Sequence, residues 1–194
     1  MSGRWELIVR LVLPALALLY FRGGLPRLRL ERPAASVLLG VLVFAIWVGP
    51  DLLVPSWRTH WLFQNAVFGR LTVSLPGAAR ENWIDLALRS VRACTVVAFA
   101  EELFWRGWLM RWLIREDFDA VPVGAWAARA FLLTAVLFGV EHGPYWEVGI
   151  AAGLLYNWWA VRTRSLGDLI LAHGVTNAVL AAFVIATRRW EFWM

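Results

Sequence analysis

The sequence predicts an all-α, polytopic membrane protein with about six transmembrane helices. Three observations support this fold class: 60% of the 194 residues are hydrophobic, the chain contains 14 tryptophans, and charged residues lie mainly between long apolar runs. Such a composition is far outside the usual range of soluble domains. A single integral membrane domain over residues 1–194 is therefore expected.

The charged residues favour a lipid bilayer over a nucleic-acid partner. All 19 Lys and Arg residues are arginine, and the formal net charge is +5. These arginines are spread between apolar runs and do not form one basic tract, so membrane topology explains them better. The single cysteine, Cys94, excludes an intrachain disulfide.

The N-terminal part of the chain is predicted to hold two spans. The first, 5–21, contains Arg10 and Pro14 and is expected to be tilted or kinked. The loop 22–33 contains four arginines, which the positive-inside rule places in the cytoplasm. The second span, 34–48, is expected to end before the Gly-Pro pair that follows it.

The segment 55–82 is the least hydrophobic part of the chain and mixes turn residues with aromatic ones. We expect it to lie along the membrane interface, where tryptophan is enriched, with His60 at the surface. Placing the arginine-rich loops on one side of the membrane gives six spans with both termini outside. The four later helices are predicted to begin near residue 83, after Arg129, near residue 146 and near residue 169.

A helix break is predicted at Gly143-Pro144. His142 lies about 13 residues, or roughly 20 Å, beyond Arg129 at 1.5 Å per residue, so the break would fall inside the bilayer. Non-helical backbone at that depth is tolerated only where it is buried in protein or lines a wet cavity. The break therefore predicts a cavity beside His142.

The third predicted helix contains the acidic motif Glu101-Glu102-x-x-x-Arg106. On an α-helix Glu102 and Arg106 form an i, i+4 pair with the acid N-terminal, the favourable order for an ion pair. Glu101 lies about 140° around the helix from Arg106 and is expected to be free for chemistry. Cys94 and Thr95 share the arc of the two acids and are expected to line a cavity with them.

Three polar pairs at i, i+4 spacing occur in three separate predicted helices. Ionisable residues within spans are costly and by default mark a functional site. One carboxylate and two imidazoles in a dry cavity suit peptide hydrolysis by an activated water. Glu101 would be the general base, one imidazole would orient the water, and the other imidazole with an amide would stabilise an oxyanion. The pairs are Glu102/Arg106, Phe138/His142 and His173/Asn177.

Other interpretations of these residues stay open. Glu101, His142 and His173 could together bind zinc, the ligand set of some metalloproteases, although the H-E-x-x-H spacing is absent. His142 alone could cap a helix, and His173 with Asn177 could form an interhelical hydrogen-bond pair. We expect no cofactor, with zinc as the alternative.

Together, the motifs Glu101-Glu102-x-x-x-Arg106, Phe138-x-x-x-His142 and His173-x-x-x-Asn177 resemble those of a known family. In this order and in separate apolar segments, they are similar to the motifs of the CAAX-protease and bacteriocin-processing (CPBP) family of intramembrane proteases. The eukaryotic Ras-converting prenyl-protein endopeptidase belongs to that family. The resemblance covers residues 83–187, whereas residues 1–82 contain no family motif.

The resemblance implies a glutamate-dependent peptide hydrolysis in an intramembrane cavity. By motif position, Glu101 and His142 would activate the water, and His173 and Asn177 would form the oxyanion hole. Glu102, Arg106 and Phe138 would support the site. The implied substrate is a membrane-anchored or lipidated polypeptide, and the implied location is a bacterial inner membrane. The subgroup that accompanies exosortase-type sorting systems is loosely similar.

Three functional hypotheses follow. The first is an intramembrane endopeptidase. The second is a non-catalytic membrane protein of the same fold, such as a bacteriocin self-immunity factor, and the filled catalytic positions count against it. The third is a proton or ion pathway, but no second cluster of ionisable groups occurs at another depth.

Overall fold

The computed structural model describes residues 4–25, 28–73 and 77–193. Within these residues the regular structure is helical, apart from one isolated antiparallel bridge between Asn65 and Gly69. The all-α prediction is therefore confirmed. Pro26 and Arg27 of the predicted arginine-rich loop lie outside the described residues.

The helices follow the predicted apolar runs, but their boundaries are more detailed. Two π-helical segments, Ala93–Val97 and Leu103–Leu109, join α4, α5 and α6 into one continuous run over residues 83–112, which we name the motif helix. The helices are α1 (Arg4–Tyr20), α2 (Pro33–Leu53), α3 (Gly77–Arg80), α4 (Trp83–Arg92), α5 (Ala98–Glu102), α6 (Met110–Trp112), α7 (Ala128–Glu141), α8 (Trp146–Thr163) and α9 (Leu166–Thr187).

Helix α2 continues through Pro50 to Leu53, so the predicted end before the proline is wrong. Proline lacks a backbone N–H and removes one helical hydrogen bond. Its carbonyl nevertheless accepts the N–H of Val54 at 2.9 Å. Asp51 is buried in the next position and pairs with Nε of Arg58 at 3.0 Å. This ion pair fixes the last turn of the helix.

Two helices in the described part of the chain, α2 and α9, are long and apolar enough to cross a membrane. Helix α1 has 17 residues, contains Arg4, Glu6 and Arg10, and buries none of its residues. Helix α7 has 14 residues. It therefore rises about 21 Å, less than the roughly 30 Å hydrocarbon core. The six-span prediction is not confirmed.

Close helix pairs build the framework of the site. Helix α2 packs on α9, and α7 packs on α8. At Gly139 of α7, an added Cβ would lie 2.6 Å from the carbonyl oxygen of Trp146, so only glycine allows this approach. The fully buried carboxylate of Asp168 accepts the backbone N–H groups of Glu31 at 2.9 Å and Arg32 at 3.0 Å. It thereby anchors the start of α2 to α9.

The predicted helix break lies between α7 and α8. Helix α7 ends at Glu141, and a 3-10 turn, Gly143–Tyr145, leads into α8. Gly143 has φ +54°, a left-handed conformation that glycine adopts readily. A covering loop, residues 54–73, packs over this turn and the start of α8. Arg58 donates to the carbonyl of Pro144, and Phe68 stacks on Trp146 with ring centroids 5.4 Å apart.

Candidate active site

A cavity of about 200 Å³ lies between α2, the motif helix and the C-terminal helices. At about 30 Å³ per water, this volume holds roughly seven waters. The predicted cavity beside His142 is therefore present. Its lining includes the four side chains for which the sequence predicts catalytic roles: Glu101, His142, His173 and Asn177.

Glu102 and Arg106 form the predicted ion pair, and both side chains are fully buried. Nη1 of Arg106 donates to Oε1 of Glu102 at 3.0 Å and to Oε2 at 3.2 Å. The guanidinium also donates to Oδ1 of Asn157 at 2.8 Å and to the carbonyl of Gly153 at 3.2 Å. It lies 4.8 Å from the ring centroid of Phe138. The charge of Arg106 is thus stabilised by a carboxylate, an amide, a backbone carbonyl and an aromatic ring.

His173 lies between the two glutamates. Its Nδ1 donates to Oε1 of Glu102 at 2.8 Å, and its Nε2 is 3.9 Å from Oε2 of Glu101. The second distance is too long for a hydrogen bond. The imidazole stacks on Tyr156 with centroids 5.3 Å apart, and the hydroxyl of Tyr156 bonds to Oγ1 of Thr176 at 2.7 Å. These contacts fix the ring and leave Nε2 facing Glu101.

Glu101 lies between the two π-helical segments, a local structure that is frequent at functional sites. Its side chain is 26% exposed, but Oε2 is buried without a hydrogen-bond partner among the described residues. Two further atoms of lining residues share this property, Nε1 of Trp47 and Nε of Arg92. The cavity therefore presents unused donors and an unused acceptor.

His142 follows the last turn of α7, and its ring is held in one orientation. Its Nδ1 lies 2.7 Å from the carbonyl oxygen of Phe138, and its ring contacts that of Trp47 at a centroid distance of 5.0 Å. Because a carbonyl can only accept, Nδ1 has the proton, and Nε2 of the neutral ring has a free lone pair.

Asn177 links α9 to the first π-helical segment. Its Nδ2 donates to the carbonyl of Ala93 at 2.8 Å. A carboxamide has two N–H donors, so this bond leaves one of them available to the cavity. The bond crosses from one helix to another and fixes the orientation of the amide.

The expected cavity positions of Cys94 and Thr95 are wrong. Both side chains line a separate apolar groove of about 830 Å³ beside α1 and α9. The π-helical segment Ala93–Val97 shifts the register of the motif helix, so that Ala93 and Val97 face the cavity instead.

Asn157 is a site residue that the sequence reasoning missed. It is fully buried, accepts from Arg106 and donates to the carbonyl of Phe131 at 2.7 Å. The sequence does mark it, because a polar amide in an apolar helix is costly without hydrogen-bond partners, as His173 is. Tyr156, which lies beside it, was likewise missed.

The alternative zinc site does not fit the geometry. Among the described residues, no group of three or more His, Cys, Asp and Glu side chains is arranged to hold a metal ion.

A protein-family model, described as type II CAAX prenyl endopeptidase Rce1-like, matches residues 83–179, half of the chain. No curated protein and no solved structure matches the chain. The match contains all three motifs and belongs to a class of proteases. The family is membrane-embedded, and the apolar helices α2 and α9 fit that location. The chain belongs to this Rce1-like family, which confirms the predicted CAAX-protease relationship.

Proposed function

We propose that the chain is an intramembrane endopeptidase that hydrolyses a peptide bond of a membrane-anchored or lipidated polypeptide. The observation that carries the proposal is the contrast between two adjacent acids. Glu102 binds both Arg106 and His173, whereas Oε2 of Glu101 is buried in the cavity with no hydrogen-bond partner among the residues that the structure describes. An unpaired carboxylate beside a water-sized space is suited to act as a general base.

In the proposed first step, Glu101 accepts a proton from a water in the cavity. Nε2 of His142 accepts the second hydrogen bond of that water, because Nδ1 is committed to the Phe138 carbonyl. The water oxygen then attacks the peptide carbonyl carbon and forms a tetrahedral intermediate. Two acceptors fix the direction of the water lone pair, which lowers the entropic cost of attack.

The negative oxygen of the intermediate needs donors. His173, as an imidazolium, donates from Nδ1 to Glu102 and from Nε2 to the oxyanion, and Asn177 supplies its remaining N–H. This protonation state balances the site, because Glu101 and Glu102 are anionic while Arg106 and His173 are cationic. The four charges sum to zero in a region of low dielectric.

Product formation returns the site to its initial state. Glu101 passes its proton to the leaving nitrogen, the C–N bond breaks, and the carbonyl re-forms as a carboxylic acid. No covalent enzyme intermediate occurs, and no cofactor takes part in these steps.

The substrate and location extend the family relationship. The family description names a prenyl endopeptidase. Together with the apolar α2 and α9, this supports a lipidated or membrane-anchored substrate and a membrane location. The location we propose is a bacterial inner membrane, which the chain would cross several times. The apolar groove beside α1 offers a surface for hydrocarbon chains close to the motif helix.

The test is cleavage of peptides containing a farnesylated cysteine by protein reconstituted in vesicles, with products identified by mass spectrometry. We expect Glu101→Gln to abolish cleavage while the protein stays folded. Glu116→Gln, at an exposed position that does not line the cavity, is the isosteric control and should stay active. Unaltered turnover of Glu101→Gln would remove the proposed base.

A further inference from the structure

The apolar groove beside α1 lies on the face of the motif helix and α9 that is turned away from the catalytic cavity. Along α9, His173 and Asn177 line the cavity, whereas Gly174 and Ala178 line the groove. An added Cβ at Gly174 would lie 2.7 Å from the carbonyl oxygen of Cys94, so the two helices meet closely at this point. The groove is therefore a separate site, which the proposed hydrolysis does not use.

The surface of the groove matches a hydrocarbon chain. Its volume of about 830 Å³ lies within the range of ligand sites, roughly 300–1,000 Å³. Apart from Cys94 and Thr95, its lining residues are aliphatic, phenylalanine or glycine. The hydroxyl of Thr95 already donates to the carbonyl of Val91 at 2.6 Å. A polar ligand would therefore leave its own groups without partners, at a cost in free energy that an acyl chain does not incur.

The length of the groove corresponds to one leaflet of a bilayer. Its lining runs along α9 from Gly167, in the first turn, to Ala178, which follows eleven residues later. At 1.5 Å per residue this distance is about 17 Å. One leaflet contributes about 15 Å, half of the roughly 30 Å hydrocarbon core. The groove can therefore hold acyl chains from the interface to the bilayer midplane.

The interfacial end of the groove is rich in arginine. The hydroxyl of Ser165, just before α9, donates to the carbonyl of Arg29 at 2.5 Å, and Leu28 and Leu30 line the groove. Four exposed arginines lie at this end, and in the described part of the chain no acid forms an ion pair with them. Two acids oppose their four charges, which leaves a formal sum of +2. The arginine-rich end comprises Arg29, Arg32, Arg162 and Arg164, with the acids Glu31 and Asp168.

Helix α1 forms the outer wall of the groove and buries none of its residues. Near its N-terminus, Arg4 pairs with Asp85 of the motif helix at 2.8 Å. Nearer its C-terminus, Ala15, Leu18 and Leu19 face the groove. An acyl chain in the groove would therefore be a packing partner for the second half of α1.

We propose that the groove binds one anionic phospholipid, with its acyl chains between α1 and α9 and its phosphate among the exposed arginines. A guanidinium presents parallel donors that match two phosphate oxygens. The positive-inside rule places the arginine-rich end at the cytoplasmic leaflet, where anionic lipids attract basic segments. The bound lipid packs α1 against the back of the two helices that hold Glu101 and His173.

The test is native mass spectrometry of the purified wild-type protein in detergent, titrated with dioleoyl phosphatidylglycerol or dioleoyl phosphatidylcholine. The two lipids have the same chains, so a difference in Kd reports the headgroup charge. An arginine near an anionic headgroup contributes about fivefold in affinity. With two arginines in contact, we expect one phosphatidylglycerol to bind about 10- to 30-fold more tightly than phosphatidylcholine. Equal Kd values would indicate non-selective lipid contact and would overturn the proposal.

Two pairs of variants locate the lipid. Ala178→Phe fills the groove and should weaken phosphatidylglycerol binding at least about tenfold. Ala186→Phe, at an exposed position of the same helix outside the groove, is its matched control. Arg29→Gln combined with Arg32→Gln should remove most of the headgroup preference. Arg70→Gln, in the covering loop beyond the other end of α2, should keep it. Tight binding that survives both the Ala178 and the arginine changes would exclude this site.

The wild-type comparison decides the proposal even if a variant fails to fold. The same spectra distinguish the other occupants of an apolar groove. Displacement of phosphatidylglycerol by an equal concentration of a farnesylated peptide would assign the groove to the substrate, and a lipid-free dimer would assign it to a second copy of the chain. Either result contradicts the proposal. No cleavage is needed for the measurement, so a failure of the proposed hydrolysis leaves this test unaffected.

Discussion

Replacing Glu102 by glutamine removes the charge of the acid that lies between Arg106 and His173, with almost no change in shape. Arg106 would keep Asn157 and the carbonyl of Gly153 as acceptors but would lose its only described anionic partner. Breaking a buried ion pair in this way costs about 3–5 kcal/mol. The retained acceptors place Glu102→Gln at the lower end of this range, about 3 kcal/mol.

The assay is thermal unfolding of the purified protein in detergent, with Glu101→Gln as the comparison. At about 2–4 °C per kcal/mol for a chain of this length, Glu102→Gln should lower Tm by roughly 6–12 °C. Glu101→Gln alters a carboxylate whose Oε2 has no hydrogen-bond partner in the described part of the chain, so its effect should stay below about 1 kcal/mol. Both variants should lose activity, since Glu102 also orients His173.

The comparison between these neighbouring substitutions is the critical result. An equal loss of Tm in both variants would show that Glu101 is structurally paired in solution, which contradicts its role as an unoccupied base. An unchanged Tm in Glu102→Gln would show that Arg106 does not depend on the pair seen in the cavity.

Three further results are expected. Arg58→Gln should lower Tm and should reduce turnover by at least about tenfold, because Arg58 donates to the Pro144 carbonyl just after His142. Unchanged turnover in a destabilised protein would show that Arg58 contributes to folding and does not position the site. Gly139→Val should cost about 1–3 kcal/mol in unfolding measurements, because even its Cβ would lie 2.6 Å from a backbone oxygen; an unchanged Tm would mean that α7 and α8 separate easily. A chelator should leave cleavage unchanged, and loss of activity that zinc restores would contradict the glutamate mechanism.

The sequence predicts the helices well where local chemistry decides. The apolar runs locate α7, α8 and α9, and the pairing of Glu102 with Arg106 follows from i, i+4 geometry. The start of α9 at Leu166, three residues before the predicted start, also had a local signal. Ser165 caps the helix by accepting the N–H of Asp168 at 3.1 Å, a serine-to-acid spacing that is visible in the sequence.

The register of the motif helix could not be predicted from the sequence. The segment Ala93–Val97 has no composition that distinguishes a π-helix from an α-helix, yet it decides that Cys94 faces the apolar groove. The bond between His173 and Glu102 joins residues 71 positions apart, so only the tertiary fold creates it. The count of six spans stays unconfirmed, because α2 and α9 are the helices in the described part of the chain that are long and apolar enough to cross a membrane.

The proposed chemistry depends on why two adjacent glutamates differ. Glu102 faces Arg106 and His173, and its charge stabilises both of them. Glu101 faces the cavity, and its Oε2 lies 3.9 Å from Nε2 of the same imidazole. His173 therefore couples the two acids, because a proton gained by Glu101 leaves an excess of positive charge that a developing oxyanion can offset. The base and the oxyanion hole thus act through one charge balance, and losing either glutamate should disable both.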